Sequence, residues 1–152
     1  MPTTPTEEQL ALGHAFEQVV AWLRRTRSTT DISATALSLL DRLDLAGAQR
    51  ITDLAAAEGV TQPAMTSLVN RLEGRGWARR DADPADGRAI LVHLTEPGRE
   101  RLRRHREDRS RRLADRLALL DEADQRALLA ALPALTRLAA VPDPSTPGGP
   151  DA

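Results

Sequence analysis

Residues 81–95 interrupt a chain that is otherwise rich in helix formers, and they read DADPADGRAILVHLT. The turn-forming segment PADG at 84–87 separates two short runs, 77–81 and 89–95, each of which can form an extended strand. Turn residues between two such runs are typical of a β-hairpin. Few folds place one hairpin among helices, so the sequence predicts a mainly α fold with a small β-hairpin.

Two helices are predicted near the start of the chain. Thr6 and Gln9 form a capping box for a first helix of about 20 residues, which should end near Arg27. Ser33 is placed to cap a second helix that stops before the Ala-Gly pair at 46–47. Apolar residues recur at helical spacing in both: Leu10, Phe16, Val20 and Leu23, then Leu37, Leu40 and Leu43.

A third and a fourth helix follow, separated by a short turn. Thr52 can cap the third helix and Gly59 can end it. Thr61 can cap the fourth helix, with Pro63 in its first turn. The spacing i, i+3, i+4, i+7 predicts a buried stripe on the fourth helix, made of Met65, Leu68, Val69 and Leu72.

The outer face of the fourth helix is small and polar, and it carries Gln62, Thr66, Ser67, Asn70 and Arg71. Gln and Asn can each make two hydrogen bonds to adenine, while Ser, Thr and Arg can hold bases or phosphates. The alternative is an ordinary solvated helix face. A hairpin directly downstream favours insertion into the major groove of DNA.

In the hairpin, Trp77 is expected to act as a hydrophobic plug at the start of the first strand, and the alternative is a platform for a ligand. The alternating Ile90, Val92 and Leu94 should pack one face of the hairpin against the third and fourth helices.

A long charged helix is predicted after the hairpin. Thr95 can cap it, and between Leu102 and Leu113 it carries no aliphatic side chain. Such a helix is either a solvated strut or a surface that faces something charged.

Asp121 begins a sixth helix, within which Pro133 predicts a kink or break. Its apolar stripe is Leu128, Leu132, Leu135 and Leu138, and the Pro- and Gly-rich tail at 141–152 is expected to be disordered.

Several classes of protein are excluded by what the sequence lacks. The chain of 152 residues has no cysteine, so it has no disulfide framework, thiol switch or thiolate metal site. Its histidines, His14, His93 and His105, lie far apart, and neither a metal site nor a cofactor is expected. The sequence has no Gly-rich phosphate loop or nucleophile motif, so an enzyme is not expected. No signal peptide or run of roughly 18 apolar residues occurs, so a cytoplasmic protein without membrane contact is expected.

The formal net charge of −1 by itself does not suggest a polyanionic partner. The distribution is more informative, because residues 61–80 carry four arginines against Glu73 alone: Arg71, Arg75, Arg79 and Arg80. Positive charge therefore gathers just before the hairpin.

The segment from Arg50 to Gly98 resembles the winged helix-turn-helix of the MarR family of bacterial transcriptional regulators. The most specific matches are DLAAAEGVTQPAMTSLVNRLEGRGW, the wing DPADGR and the closing LVHLTEPG. The resemblance continues through the flanking helices to about residue 140. It implies a single domain over 1–140, in which 32–98 form the DNA-binding lobe and 6–28 and 99–140 form dimerisation helices.

The resemblance implies a homodimer on a pseudo-palindromic operator of double-stranded DNA. The fourth helices would enter successive major grooves, and the wings would enter the flanking minor grooves. The implied contacts are Gln62, Thr66, Ser67 and Asn70 for bases and Thr61, Arg71 and Arg75 for phosphates, and Pro63 is also counted among the DNA-binding residues.

Arg88 matches the wing arginine of the family, which reads the minor groove, and Asp86 matches the acidic residue that holds this arginine or the hairpin in shape. Gly87 departs from the family pattern, because many members carry another arginine there. This loss of charge predicts weaker non-specific binding and a shallower salt dependence.

Many members of the family release DNA when a small aromatic or anionic effector binds. The candidate site for a phenolate or carboxylate is His14 and Trp22 with Arg24 or Arg25, all on the first helix. The alternative is that Trp22 belongs to the core and His14 to the surface. The leading interpretation is a repressor released by such an effector, and the competing one is a dimerisation scaffold that no longer binds DNA.

Overall fold

The computed structural model describes residues 4–25, 32–84, 86–87 and 89–141. Its elements in chain order are α1 (Glu7–Arg25), α2 (Ala34–Ala46), β1 (Gln49–Arg50), α3 (Ile51–Ala57), α4 (Gln62–Gly74), β2 (Ala78–Ala82), β3 (Ile90–Leu94), α5 (Glu96–Leu117), α6 (Glu122–Ala130) and α7 (Leu132–Ala139). The strands form one antiparallel sheet in the order β1-β3-β2. The predicted class, mainly α with a small hairpin, is confirmed.

The chain divides into two compact units, one ending at Ser110 and the other beginning at Arg111. The first contains α1 to β3 and most of α5, and it holds the buried core. The second contains the end of α5 together with α6 and α7.

In α1 the predicted capping box is formed. The backbone N–H of Thr6 donates to Gln9 Oε1 at 2.9 Å, and the N–H of Gln9 donates to Thr6 Oγ1 at 3.2 Å. The described helix reaches Arg25, and the predicted end near Arg27 lies outside the described residues. Large apolar side chains of α1 are exposed, namely Leu10, Leu12, Phe16 and Val19.

The predicted cap of α2 is also formed, since Ser33 Oγ accepts a hydrogen bond from the N–H of Ala36 at 3.2 Å. The helix includes Ala46, one residue beyond its predicted end, and stops at Gly47, whose φ of +75° suits glycine. Its apolar face is buried, including the predicted Leu37, Leu40 and Leu43. This face supplies much of the core of the first unit.

The start of α3 differs from the prediction that Thr52 caps it. Arg50 pairs with Leu91 of β3, so the chain is extended up to the residue before the helix, and the cap position falls on Arg50. Thr52 lies inside the first turn, where its Oγ1 donates to Asp53 Oδ1 at 3.3 Å. The predicted end is confirmed, because Gly59 has a φ of +63°.

The predicted buried stripe of α4 is confirmed. Met65 and Val69 are fully buried, and Leu68 and Leu72 nearly so. Thr61 occupies the N-cap position and Pro63 the first turn, as predicted. Within the described residues the Thr61 side chain makes no capping hydrogen bond.

In the hairpin, Ala78 pairs with Leu94, Arg80 with Val92 and Ala82 with Ile90. The first strand begins one residue later than predicted. Val92 and Leu94 are buried as expected, but Ile90 is 42% exposed, so its predicted packing against the helices is wrong. Ile90 lies at the loop end of the hairpin, outside the buried core cluster.

Trp77 is half-buried and packs against the core, as the prediction of a plug requires. The guanidinium groups of Arg75 and Arg101 lie over its ring, 5.0 and 5.6 Å from the centroid. Gly98 packs against Trp77 so closely that a Cβ at this position would lie 2.2 Å from the Trp77 carbonyl oxygen. The helix α5 can therefore leave the hairpin here only with glycine at 98.

Thr95 caps α5 as predicted, because its Oγ1 accepts from the N–H of Gly98 at 3.1 Å. The same hydroxyl donates to the carbonyl of Gly76 at 2.6 Å. Further along, Arg106 donates to Asp41 at 2.7 Å and Asp44 at 3.0 Å, both on α2. Part of the charge on this helix therefore ties it to α2.

In the second unit, Asp121 Oδ1 accepts from the N–H of Asp124 at 2.8 Å and caps α6. The helix breaks at Ala131, and α7 begins with Pro133 in its first turn, as predicted. Leu128, Leu132 and Leu138 are exposed. The predicted disordered tail lies outside the described residues beyond Val141. In the part of the chain that the structure describes, no helix is long and apolar enough to cross a bilayer.

Candidate nucleic-acid interface

The outer face of α4 carries the predicted base-facing residues together. Gln62, Ser67 and Asn70 are exposed, and Thr66 is half-buried. The other predicted DNA-binding residues of this segment are exposed as well: Thr61, Pro63, Arg71 and Arg75. Because the opposite side of the helix is fixed in the core, this face is a rigid polar surface.

A residue that the sequence indicated only as part of the arginine-rich stretch before the hairpin, and not as a site residue, reaches this face from β2. The Nη1 of Arg80 donates to Asn70 Oδ1 and to Glu73 Oε2, each at 2.7 Å. Its Nη2 donates to the backbone carbonyl of Thr66 at 3.4 Å. One side chain of β2 therefore contacts two predicted base-facing positions. The only signal in the sequence was Glu73, the lone acid among the arginines of residues 61–80.

A second ion pair, which the sequence also did not predict, joins Arg50 on β1 to Asp83 in the loop of the wing. The Nε and Nη2 of Arg50 donate to Asp83 Oδ2 at 3.1 and 2.7 Å. Asp83 is only 8% exposed, and its N–H donates to the carbonyl of Ala89 at 2.9 Å, which closes the loop. The hydrogen bond to Asp83, followed by the charge of that carboxylate, raises the pKa of Arg50.

Of the predicted wing residues Asp86 and Arg88, only Asp86 lies within the described residues. A carboxylate oxygen of Asp86 lies 3.8 Å from Arg50 Nη2, so Asp86 belongs to the same charged group. Arg88 lies outside the described residues, and its role stays a prediction.

His93 lies on the hairpin with its Nε2 3.3 Å from Asp81 Oδ2. The same carboxylate forms an ion pair with Arg79, so its charge is already neutralised. Burial, and then the nearby Arg79, lower the pKa of His93. Both causes favour the neutral imidazole.

The predicted effector residues His14, Trp22, Arg24 and Arg25 all lie on α1, and Trp22 is half-buried while the others are exposed. A cavity of about 370 Å³ lies elsewhere, between the start of α2 and the end of α4. Its lining combines aliphatic and charged groups: Ile32, Ser33, Ala36, Leu68, Arg71, Leu72, Arg75 and Trp77. The four α1 residues do not line this cavity.

Comparison with known proteins identifies this arrangement. The sequence profile of the MarR family matches residues 32–90. The chain is 35% identical to the HTH-type transcriptional regulator Mb0904 of Mycobacterium bovis over 103 residues, which cover 68% of this chain and 72% of that protein.

Two solved structures have the same fold as this chain. A transcriptional regulator from Pseudomonas aeruginosa superposes with a TM-score of 0.66 at 34% identity, covering 89% of this chain and 98% of that one. A mutant of the S. aureus protein MepR, solved bound to an oligodeoxyribonucleotide, superposes with a TM-score of 0.65 at 18% identity, covering 86% and 98%. The chain therefore belongs to the MarR family of transcriptional regulators, which are DNA-binding proteins and not enzymes.

Proposed function

We propose that the chain acts as a homodimeric repressor in the cytoplasm, where it binds a pseudo-palindromic operator and is released by a small effector. One observation carries this proposal: a polar, exposed face of α4 is fixed in place by a fully buried stripe and stands beside a hairpin tied down by Arg50. A rigid helix face next to a wing suits simultaneous contact with a major groove and the adjacent minor groove.

The exposed apolar side chains favour a dimer. On α1, Phe16 is 37% exposed and Leu12 is 56% exposed, and on α7 Leu132 and Leu138 are each 58% exposed. Groups of exposed apolar residues mark surfaces that are covered by a partner. A second copy of the chain is the partner we propose, because a two-fold dimer would present two α4 helices to a two-fold operator.

In the proposed complex, Gln62, Thr66, Ser67 and Asn70 face bases. Thr61, Pro63, Arg71 and Arg75 lie along the sugar-phosphate backbone, Arg88 enters the minor groove and Asp86 helps to hold the wing. The MepR protein has the same fold and was solved with bound DNA, which favours this mode of binding.

A small aromatic or anionic effector has two candidate sites. The first is the predicted set on α1, His14 and Trp22 with Arg24 or Arg25. The second is the cavity between α2 and α4, favoured because it combines arginines with Trp77 and aliphatic groups. Benzoate binding is measured by calorimetry without DNA, because Arg75 is also a proposed DNA contact. Arg75→Gln should abolish this binding if the cavity is the site, and Arg24→Gln should do so if α1 is.

The alternative function is a dimerisation scaffold that does not bind DNA. The net charge of −1 and Gly87 in the wing favour this alternative. The exposed Arg71 on α4 and Arg75 directly after this helix argue against it, since a scaffold has no need of exposed cations beside the hairpin.

The test is fluorescence anisotropy of the purified protein on duplexes that tile the region upstream of its own gene. Measurements at two salt concentrations, with scrambled competitor, separate specific from non-specific binding. We expect tight, salt-sensitive binding of one dimer to one duplex. Equally weak binding to all duplexes would call for selection from a random DNA library. Failure to bind any selected sequence at low salt would establish the scaffold.

The wing is tested in the same assay with Arg88→Ala. We expect binding to the operator to weaken by about 1–3 kcal/mol without a change in thermal stability. Arg104→Ala, at an exposed position on α5, is the control and should bind like wild type. A wild-type affinity for Arg88→Ala would show that the wing does not contact DNA as proposed.

A further inference from the structure

We propose that Arg80 determines which bases the regulator prefers, by fixing the side-chain amide of Asn70 in one orientation. Arg80 is in this view a positioning residue that acts on DNA through Asn70. The inference rests on the proposed function, because it assumes that the outer face of α4 lies in a major groove.

The contacts of Arg80 leave Asn70 no choice of orientation. A guanidinium group has five N–H donors and no acceptor, so only the carbonyl oxygen of an amide can face it at hydrogen-bond distance. Arg80 Nη1 lies 2.7 Å from Asn70 Oδ1, and the amide nitrogen therefore points away from Arg80. The exposed amide thus presents its two N–H groups outward.

This orientation changes what Asn70 can read. A freely rotating amide can make two hydrogen bonds to adenine by donating to N7 and accepting from the N6 amino group. With one lone pair of its oxygen taken by Arg80 and its nitrogen on the far side, the amide of Asn70 presents mainly N–H donors to the groove. It then favours bases with acceptors in the major groove, such as N7 and O6 of guanine or O4 of thymine.

Arg80 is itself held firmly. Its backbone lies in β2 opposite the fully buried Val92, and its side chain is only about a quarter exposed. Glu73 on α4 balances its charge at 2.7 Å, and the carbonyl of Thr66 receives its other terminal nitrogen. Asn70 is therefore clamped by a side chain whose own position is set by a strand and a helix.

One feature of the clamp is unfavourable for stability alone. The Nε of Arg80 is buried and has no hydrogen-bond partner among the described residues. A buried donor without a partner loses its hydrogen bonds to water, which destabilises the fold. Departures of this kind concentrate at functional sites, where the geometry serves binding.

The test compares base preference in variants of Arg80 and Asn70. The probe is a duplex selected by the wild-type protein, together with its single-base-pair substitutions. We expect Arg80→Met and Asn70→Ala each to lower discrimination about 10-fold at the same base pair of each half-site. In the double variant the loss should equal that of Asn70→Ala alone, because Arg80 acts through Asn70.

Two further variants exclude a purely structural explanation. Arg80→Lys keeps a positive charge beside Glu73 but lacks the planar fork, so we expect it to fold normally and still lose discrimination. Arg79→Met is the matched control on the same strand, and it should leave discrimination unchanged at every base pair.

A measurement without DNA separates this inference from the proposed function. In ¹⁵N relaxation measurements, the side-chain amide of Asn70 should be rigid on the picosecond-to-nanosecond timescale in the wild type and mobile in Arg80→Lys and Arg80→Met. If the wild type shows no base preference on any selected duplex, the proposed function fails. If the wild type is selective but Arg80→Lys lowers binding equally for all duplexes, or the amide of Asn70 is unchanged, the inference about Arg80 is overturned.

Discussion

Asp83 is a buried acid of the wing loop, and its partner Arg50 lies on β1. Changing Asp83→Asn keeps the size of the side chain but removes the charge that accepts both hydrogen bonds from Arg50. We expect the loop to loosen, operator binding to weaken roughly five-fold and the melting temperature to fall by about 2–4 °C. Anisotropy and thermal unfolding measure the two effects. Asp86→Asn is the control and should change less, because Asp86 lies 3.8 Å from Arg50.

His93 makes stability depend on pH in a defined direction. Its pKa is lowered by burial and by Arg79, so the unfolded chain binds a proton more readily than the folded chain does. The contribution of His93 is therefore present in full above the unfolded pKa of about 6.5 and is lost as the pH falls below it. We expect the melting temperature of the wild type to fall more between pH 7.5 and pH 5.5 than that of His93→Gln. Equal falls would show that His93 is not the responsible group.

At the residue scale, local features were predictable from the sequence, and contacts between residues far apart in the chain were not. The caps at Thr6, Ser33 and Thr95 were predictable because a capping bond joins residues three positions apart. Arg50 and Asp83 are separated by 33 positions, and nothing in either neighbourhood specifies the other. Their pairing depends on the register of the sheet, which follows from the packed core.

At the scale of elements, α4 has one face for stability and another for binding, and two variants should separate them. Met65→Ala removes a fully buried side chain and should lower the free energy of unfolding by about 2–5 kcal/mol. Ser67→Ala lies on the exposed face and should change it by less than about 0.5 kcal/mol while weakening operator binding. Denaturant titration measures the first effect and anisotropy the second. A large loss of stability in Ser67→Ala would contradict the assignment of the two faces.

The elements with strong periodicity were the predictable ones. Four apolar residues at helical spacing were enough to place the buried face of α4, and Pro133 was enough to predict the break before α7. The strand β1 was missed because it has only two residues and exists through its pairing with β3. That omission also misplaced the cap of α3 at Thr52, since the strand decides where the helix begins.

For the whole molecule, the sequence resemblance predicted the fold and the family, whereas the assembly depends on exposed apolar faces. Leu132→Glu would place a charge on the exposed apolar side of α7, where a partner is proposed. In a two-fold dimer the same substitution occurs twice in one interface, so we expect the dissociation constant of the dimer to rise at least roughly 100-fold. Light scattering would then report a mass near 16.5 kDa, that of one chain.

The matched control is Ala134→Glu, which adds the same charge about 200° around α7 and is also exposed. It should leave the dimer intact. Because each half-site is bound by one subunit, Leu132→Glu should also lose most of its operator affinity while its circular dichroism stays that of a folded chain. A Leu132→Glu protein that remains dimeric would show that α7 faces solvent in the assembly, and that the exposed leucines serve another contact.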